Sequence, residues 1–512
     1  MQGLKDSFKK GVFWNGVSVF GGLATHFLGA LVFAYFMEPE DFRLVGILLI
    51  LMNQAFVLSE FGLATAIVQA KDLRPVHLNT IFVINLAIGI ALTALFCALS
   101  PAAAWFFKSP ILTPIMIMVS VVFFILSTGL THKARLARDV DFFSLSMAEV
   151  YGYVAYIVVL TLLAWRRKGV WAFVWAKVAQ QSVETSALWI SAKFTPDLRN
   201  ISFREAKPMF HFGLNMSGAQ MVAFLIGNLD GFLVGRFYPQ AAAGYYLFAR
   251  QVVIVPAVRF LKLLTRVGVP ILSRIQDDLP RMARSFCLMN KFLALLALPA
   301  FLGLSAVAPE MVHAIFRPKW YPIVGMVSIL SISVAAHLFA ALTIVVYYSL
   351  ARANVLMRFQ ILVLAVRTVL LCSVVFFTRN VIYICWAILF ERLFFMVFFE
   401  RLAFRLMLSK SRSLFSHLAN PLIASVLMVA ATLLISRLAP GHPLTRSWAT
   451  ILLTLQVATG AAVYIGFILL KDRHVVEEMK TFLASRRGTK TDQAQPPEAP
   501  PQELPEQPFD SV

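Results

Sequence analysis

Charge is the scarcest ingredient of this chain. Only 14% of its 512 residues are Asp, Glu, Lys or Arg, while 59% are hydrophobic. Soluble domains carry about 25% charged and about 45–50% apolar residues. Too few polar residues remain to cover a water-facing surface, so an integral membrane protein is expected, and soluble enzymes and ordinary DNA-binding proteins are excluded. Acidic residues are the rarer sign, 26 against 46 Lys and Arg, for a formal net charge of +20. Membrane proteins keep Lys and Arg in cytoplasmic loops for topological reasons, so the basic balance reads as topology, with no nucleic-acid partner. Cysteine is sparse as well. Cys97, Cys287, Cys372 and Cys385 lie in or beside apolar runs without CxxC or Cys/His spacing. That pattern points to buried free thiols, with neither a zinc site nor a disulfide framework. No metal and no cofactor is expected. No Walker A sequence occurs, so the chain is not expected to hydrolyse ATP itself. Met1 to Lys10 is short and basic, and the long apolar run after it lacks a small-residue cleavage site. A cleavable signal peptide is therefore not expected.

Hydrophobic runs fill what remains. A bilayer span takes about 20 mostly apolar residues. The runs predict about fourteen of them: 11–37, 42–66, 80–106, 111–131, 144–165, 170–192, 210–236, 241–264, 286–308, 322–350, 355–378, 380–402, 416–437 and 447–470. No intervening loop is long enough to fold separately, and 193–209 and 273–285 read as polar connectors. Lys5, Lys9 and Lys10, then Lys71 and Arg74, Lys133, Arg135 and Arg138, and Lys193, Arg199, Arg204 and Lys207 occupy alternate loops. This alternation predicts a multi-pass protein of the bacterial inner membrane with both termini cytoplasmic. Arg166-Arg167-Lys168 is the exception, falling on the outer side. Residues 472–487 read as an amphipathic cytoplasmic segment, and from Gly488 the Pro-, Glu- and Gln-rich tail has little to bury and should be disordered.

A faint duplication organises these spans. FMEPEDFRLVG (36–46) opens the second span after a short outer loop, and FYPQAAAGYYL (237–247) does the same after the seventh. FGLATAIVQAKD (61–72) and VGVPILSRIQDD (267–278) correspond at the other ends of those spans. A chance likeness between two apolar hairpins is the competing explanation. Six spans is an even number, so both copies enter the membrane in one direction, as in parallel repeats related by an axis along the membrane normal. The expected fold is all-α and integral to the membrane. It has two six-helix bundles, 1–209 and 210–412, an extra transmembrane hairpin over 413–471, and a cytoplasmic segment and tail over 472–512.

At these residues the chain resembles a family. FGLATAIVQAKDL with the following HLNTIFVINL, and above all FGLNMSGAQMVAFLIGNLDGFLVGRFY, AAGYYLFARQVVIVP and PILSRIQDD, resemble polysaccharide-type flippases. These are the O-antigen and exopolysaccharide translocases of the multidrug/oligosaccharidyl-lipid/polysaccharide exporter superfamily. The likeness implies a V-shaped transporter that is not an enzyme. It would carry undecaprenyl-pyrophosphate-linked oligosaccharide between leaflets by alternating access, coupled to an ion gradient. It also implies work beside a polysaccharide polymerase and chain-length machinery. Arg43 departs from the family pattern, in which a small residue follows the acidic turn, and bears on the local loop packing.

Charged groups within spans are functional candidates because a charge at mid-bilayer costs about 2.5–3.5 kcal/mol on insertion scales. Lys177, Gln180, Gln181 and Glu184 recur at i, i+3, i+4 and i+7 of the sixth span, on one helix face. They would line an aqueous cavity or pair within the bundle. Asn53, Gln54, Glu60, His26 and Glu149 extend the polar inventory. In the second bundle Asn228 and Asp230 lie in the seventh span. Arg250 stands about nine residues into the eighth, roughly 14 Å from its end, followed by Arg259, Lys262 and Arg266. A lipid pyrophosphate needs cations along its path, and the planar fork of Arg suits that task. Arg250, Arg259, Lys262, Asn228, Lys177 and Gln181 are therefore the candidate substrate-binding residues, and Asp230, Glu184 and Glu60 the candidate ion-coupling residues. Asp230 and Glu184 are the expected partners of Arg250 in the empty protein. Arg367, Glu391 and Arg392 are expected to form a buried pair across the eleventh and twelfth spans.

Two other functions compete. A membrane polymerase or glycosyltransferase would use Glu38, Glu40 and Asp41 as a metal- and phosphate-binding loop, but such enzymes carry a sizeable external domain and the repeat has AAAG where EPED stands. A lipid II or multidrug exporter of the same superfamily is the second. The cationic eighth span argues against drug cations.

Overall fold

The computed structural model describes residues 2–60, 67, 74–202, 221–350, 353–407, 412–438 and 445–471. Within them, side chains are described except at 2–12, 15, 57, 60, 259–260, 262–267, 269–271, 348, 353–354, 356 and 412–417. These residues are helical almost throughout. The first bundle contains α1 (Gln2–Phe36), α2 (Pro39–Glu60), α3 (Pro75–Phe106), α4 (Leu112–Arg138), α5 (Phe142–Trp165) and α6 (Val170–Ala192). The second contains α7, helical over 221–237, α8 (Gln240–Ser273), α9 (Leu279–Ala306), the short α10 (Ala308–Ile315) with a 3-10 turn at Pro318–Ile323, α11 (Val324–Ser349), α12 (Ala353–Phe377) and α13 (Ile382–Leu406). A hairpin of α14 (Arg412–Leu438) and α15 (Arg446–Lys471) follows.

Each expected span overlaps one of the long helices, and eleven helices among the described residues are long and apolar enough to cross a membrane. The other three are α2, α6 and α7. Glu40, Asp41 and Arg43 open α2, α6 carries the Lys177–Glu184 stripe, and α7 is described only from 221. The exterior suits lipid. Phe20, Val369, Phe376, Phe377 and Leu470 stand exposed on the surface, where water would penalise them and hydrocarbon does not.

The two bundles pack in the same order. In the first, α3 lies on α4, α4 on α6 and α6 on α5; in the second, α9 lies on α11, α11 on α13 and α13 on α12. The hairpin attaches outside this repeat, α14 against α9 and α15 against α14 and α10. The bundles meet through their equivalent second helices, α2 and α8. Glycines permit that approach: a Cβ on Gly244 would stand 1.8 Å from the Pro39 carbonyl oxygen, and one on Gly46 2.8 Å from Leu247. Small residues of this kind let membrane helices close to backbone distance.

Turns that alternate along the chain gather at the same end. Lys319 reaches Glu38, Arg43 reaches the carbonyls of Phe107 and Gly235, and the Tyr238 hydroxyl donates to the Thr378 carbonyl. Gly169, at φ +53°, closes the α5–α6 turn where a Cβ would stand 3.0 Å from Asp41. The Arg166-Arg167-Lys168 loop therefore shares an end with 38–41, as the span count requires. At the opposite end the Asn79 amide joins the 197–200 loop, and Arg138 donates to the Ile67 carbonyl.

Candidate functional site

A cavity of about 200 Å³ lies between the bundles, walled by α1, α2, α5 and α6 on one side and α8 on the other. Its polar wall includes Thr25, His26, Tyr153, Tyr156, Lys177, Gln180 and Gln251. The imidazole Nε2 of His26 lies 3.0 Å from the Gln251 amide nitrogen, a hydrogen bond between the bundles. Lys177 Nζ donates to Gln180 Oε1 at 3.0 Å and stands 4.7 Å from the Tyr156 ring centroid. Among the described residues no carboxylate lies within ion-pair distance of Lys177. The cavity thus holds a lysine that makes no ion pair among the described residues and whose direct contacts are an amide oxygen and an aromatic face, with Glu184 farther along α6.

The polar stripe of α6 divides between two environments. Lys177 and Gln180 face the cavity, whereas Gln181 is buried, donating to the Thr185 hydroxyl at 3.2 Å. A period of 3.6 places i and i+4 on the same face only approximately, and packing against α4 takes Gln181. Glu184 corrects a second expectation. It lies 3.6 Å from Lys133 of α4, not beside Arg250. Lys133 also donates to Glu149 of α5 at 3.0 Å, and the Ser18 hydroxyl of α1 donates to the same carboxylate. Two carboxylates share one ammonium there, with Tyr153 beside them.

In the second bundle the pairing of Arg250 with Asp230 is present. Arg250 Nε stands 3.0 Å from Asp230 Oδ2, and its Nη2 donates to Asn228 Oδ1 at 3.0 Å and to the Gly227 carbonyl at 2.5 Å. The buried Tyr246 hydroxyl donates to the same Asp230 oxygen at 2.5 Å. The Arg250 guanidinium is thus engaged with α7 and does not line the cavity. Arg367 and Glu391 form the expected pair across α12 and α13, Nη2 to Oε2 at 2.5 Å, and Arg367 also donates to the Ile226 carbonyl. Arg392 instead donates to the Ser333 hydroxyl at 3.2 Å. Two guanidiniums therefore grip consecutive α7 carbonyls, at 226 and 227, from two sides. The side chains of Glu60, Arg259 and Lys262 lie outside the described residues.

Sequence reasoning missed the seal at the turn-rich end. Lys319 Nζ stands 3.0 Å from Glu38 Oε1, the Trp320 indole donates to the Ala34 carbonyl at 2.9 Å, and the Arg317 guanidinium lies 3.6 Å from the Tyr35 ring centroid. Beneath them Phe42, Phe248 and Trp320 interlock, with ring centroids 4.3 Å apart for Phe248–Trp320 and 4.8 Å for Phe42–Phe248. Arg43 is buried and crosses the bundle boundary to the carbonyl of Gly235, with Nη2 at 2.9 Å. Its departure from the family pattern was the one signal available. Glu38 and Asp41, read as a metal loop in the enzyme alternative, are occupied with Lys319 and with the backbone N–H of Glu38. Among the described residues no group of three or more His, Cys, Asp or Glu is placed to hold a metal ion.

Two helical bundles around a polar cleft, sealed at one end, define an architecture shared with membrane transporters. The fold is similar to that of a lipid II flippase, MurJ, in an inward closed conformation. Its TM-score is 0.70 at 13% identity, over 91% of this chain and 100% of that one. It is also similar to an inward-facing multidrug resistance MATE family transporter of the MOP superfamily, with a TM-score of 0.65 at 13% identity, covering 75% and 94%. Residues 32–325 match the family described as polysaccharide biosynthesis protein, and the chain belongs to that family. Its relatives include the teichuronic acid biosynthesis protein TuaB of Bacillus subtilis (strain 168), 27% identical over 54% of this chain and 58% of that protein. The lipopolysaccharide biosynthesis protein WzxC of Escherichia coli (strain K12) is 23% identical over 64% and 67%. The matched region thus spans less than two thirds of the length of TuaB.

Proposed function

We propose that the protein is a flippase for undecaprenyl-pyrophosphate-linked oligosaccharide in the bacterial inner membrane, working by alternating access, and not an enzyme. The observation that carries this reading is Lys177, a lysine in a cavity between two bundles that forms no ion pair among the described residues. Burying a charge uncompensated is costly, so the site is built for an anion that arrives and leaves. A pyrophosphate supplies that anion. The amides of Gln180 and Gln251 and the His26 ring offer further hydrogen bonds to phosphate or sugar. Family membership and relatives named for polysaccharide biosynthesis favour a saccharide cargo, and a cationic cavity disfavours drug cations.

In this reading the sealed end faces the periplasm and both termini the cytoplasm, so the cargo enters from the cytoplasmic side. Arg259 and Lys262, later in the α8 sequence, are the further proposed substrate-binding cations. Arg250, spent on Asp230 and Asn228, positions α8 against α7. Glu184, which shares Lys133 with Glu149, is the proposed ion-coupling group, and a polymerase and chain-length machinery take the product. The test is complementation of a strain lacking the protein, comparing wild type with Lys177→Ala and Lys177→Arg at matched membrane levels. Wild type restores surface polysaccharide and Lys177→Ala does not, with lipid-linked repeat units accumulating inside. Full export by Lys177→Ala would reject the reading.

A further inference from the structure

A mostly apolar cleft elsewhere in the molecule is unlike the polar inter-bundle cavity. It has a volume of about 500 Å³ and lies among α9, α11, α13 and α14, at the junction of the second bundle with the hairpin. Leu302, Phe339, Leu422 and Val397 make a hydrocarbon wall, and two ionisable side chains, Glu400 and Arg401, break it. Glu400 is only 7% exposed, and neither of its carboxylate oxygens has a hydrogen-bond partner among the described residues. Arg401 is exposed and also lines an adjoining cleft of about 540 Å³ with Phe394, Phe398 and Arg405.

A carboxylate buried without donors takes up a proton unless a cation or a donor reaches it, so a ligand cation is what would keep Glu400 ionised. Apolar walls require that donor to be attached to hydrocarbon. Depth narrows the choice. Glu400 stands six residues before the end of α13, roughly 9 Å along the axis, at the end of the bundle opposite the Glu38–Lys319 seal. That is the level of a lipid headgroup. A primary ammonium brings three N–H donors, and the guanidiniums of Arg401 and Arg405, one turn apart, suit a phosphate. We infer that Glu400, Arg401 and the flanking clefts form a binding site for an aminophospholipid of the phosphatidylethanolamine type, with its ammonium on Glu400, its phosphate on Arg401 and its acyl chains along α9, α11 and α14. This lipid is a resident of the α13–α14 junction and separate from the cargo.

The full-length protein in detergent is titrated with phosphatidylethanolamine, phosphatidylcholine and phosphatidylglycerol of matched chains, and bound lipid is counted by native mass spectrometry. Wild type is expected to prefer phosphatidylethanolamine over phosphatidylcholine about tenfold, because quaternary methylation removes every N–H donor. Glu400→Gln should abolish that preference, and Arg401→Ala should weaken all three lipids alike. Glu400→Gln removes a buried charge and is expected to fold, which gel filtration and circular dichroism check. Wild type that holds the ethanolamine and choline lipids equally would overturn the proposal. So would Glu400→Gln that keeps the preference, or a polyprenyl phosphate that displaces the ethanolamine lipid from the cleft.

Discussion

Lys319 Nζ and Glu38 Oε1 stand 3.0 Å apart, joining the turn before α11 to the turn between α1 and α2 and so tying one bundle to the other. The Glu38 side chain is 64% exposed, and an exposed pair contributes about 0–1 kcal/mol. The seal must draw its strength from elsewhere. Trp320 is fully buried, and its indole donates across the boundary to Ala34.

The first prediction ranks these contacts. Lys319→Ala should open the seal by no more than about 1 kcal/mol. Trp320→Phe loses one hydrogen bond, about 1 kcal/mol, and Trp320→Ala about 3–5 kcal/mol of packing. The measurement is labelling of a Thr25→Cys variant, with the four native cysteines replaced, by an impermeant maleimide from the sealed side. Labelling should rise little for Lys319→Ala and most for Trp320→Ala. Equal labelling of the two would contradict the ranking.

Arg250 supplies the second. Removing it leaves Asp230 buried without its cation, and breaking one side of such a pair costs about 3–5 kcal/mol. Arg250→Ala should therefore lower the membrane level and the melting temperature sharply. Arg250→Lys should recover part of the loss, since an ammonium cannot reach Asp230, Asn228 and the Gly227 carbonyl from one planar fork. Adding Asp230→Asn to Arg250→Ala should restore both level and export. If the level returns without export, Arg250 touches the cargo and is not only a clamp.

Much of the fold was legible because membrane spans are written in composition. The alternation of basic loops and the FMEPEDFRLVG and FYPQAAAGYYL echoes anticipated helices that pack in the same order in both bundles. Pairings were legible where burial left little choice: a deep Arg250 needed a carboxylate, and Asp230 was the one in the neighbouring span. Rotation between helices was not legible. Glu184 and Lys133 meet because of how α4 and α6 are turned, and no single-helix period encodes that. Arg43 and Lys319 were hidden for a related reason, as both act across the boundary between repeats, where the partner is a carbonyl or lies far along the chain. Glu400 is adjacent in sequence to Arg401, and only its burial in the walls of the cleft sets it apart.

The Lys133 cluster gives a third prediction. Among the described residues one ammonium serves Glu149 at 3.0 Å and Glu184 at 3.6 Å, so removing it takes an ion-pair partner from both carboxylates. Lys133→Ala should lower thermal stability in detergent more than Glu184→Gln does, and Glu184→Gln added to Lys133→Ala should recover part of the loss. If Glu184 couples transport to protons, Glu184→Gln should also flatten the dependence of transport on external pH. Transport by Glu184→Gln that follows pH as wild type does would remove it from the coupling step.

The fourth concerns residues 488–512, which lie outside the described residues. Their composition offers little to bury, and the repeated bundles end before them. A chain truncated after Arg487 should insert and export as the full chain does. Normal insertion with failed export would show that the tail has a task.

The most direct measurement is translocation itself, in proteoliposomes holding purified protein and a labelled undecaprenyl-pyrophosphate-linked oligosaccharide, with the label quenched or enzymatically modified from one side. Wild type should expose lipid from the far leaflet well above empty vesicles. Lys177→Ala should lose that activity and bind the lipid at least about tenfold more weakly, while Lys177→Arg keeps part of both. Wild-type vesicles that move no lipid-linked oligosaccharide, or Lys177→Ala that moves it at the wild-type rate, would contradict the account.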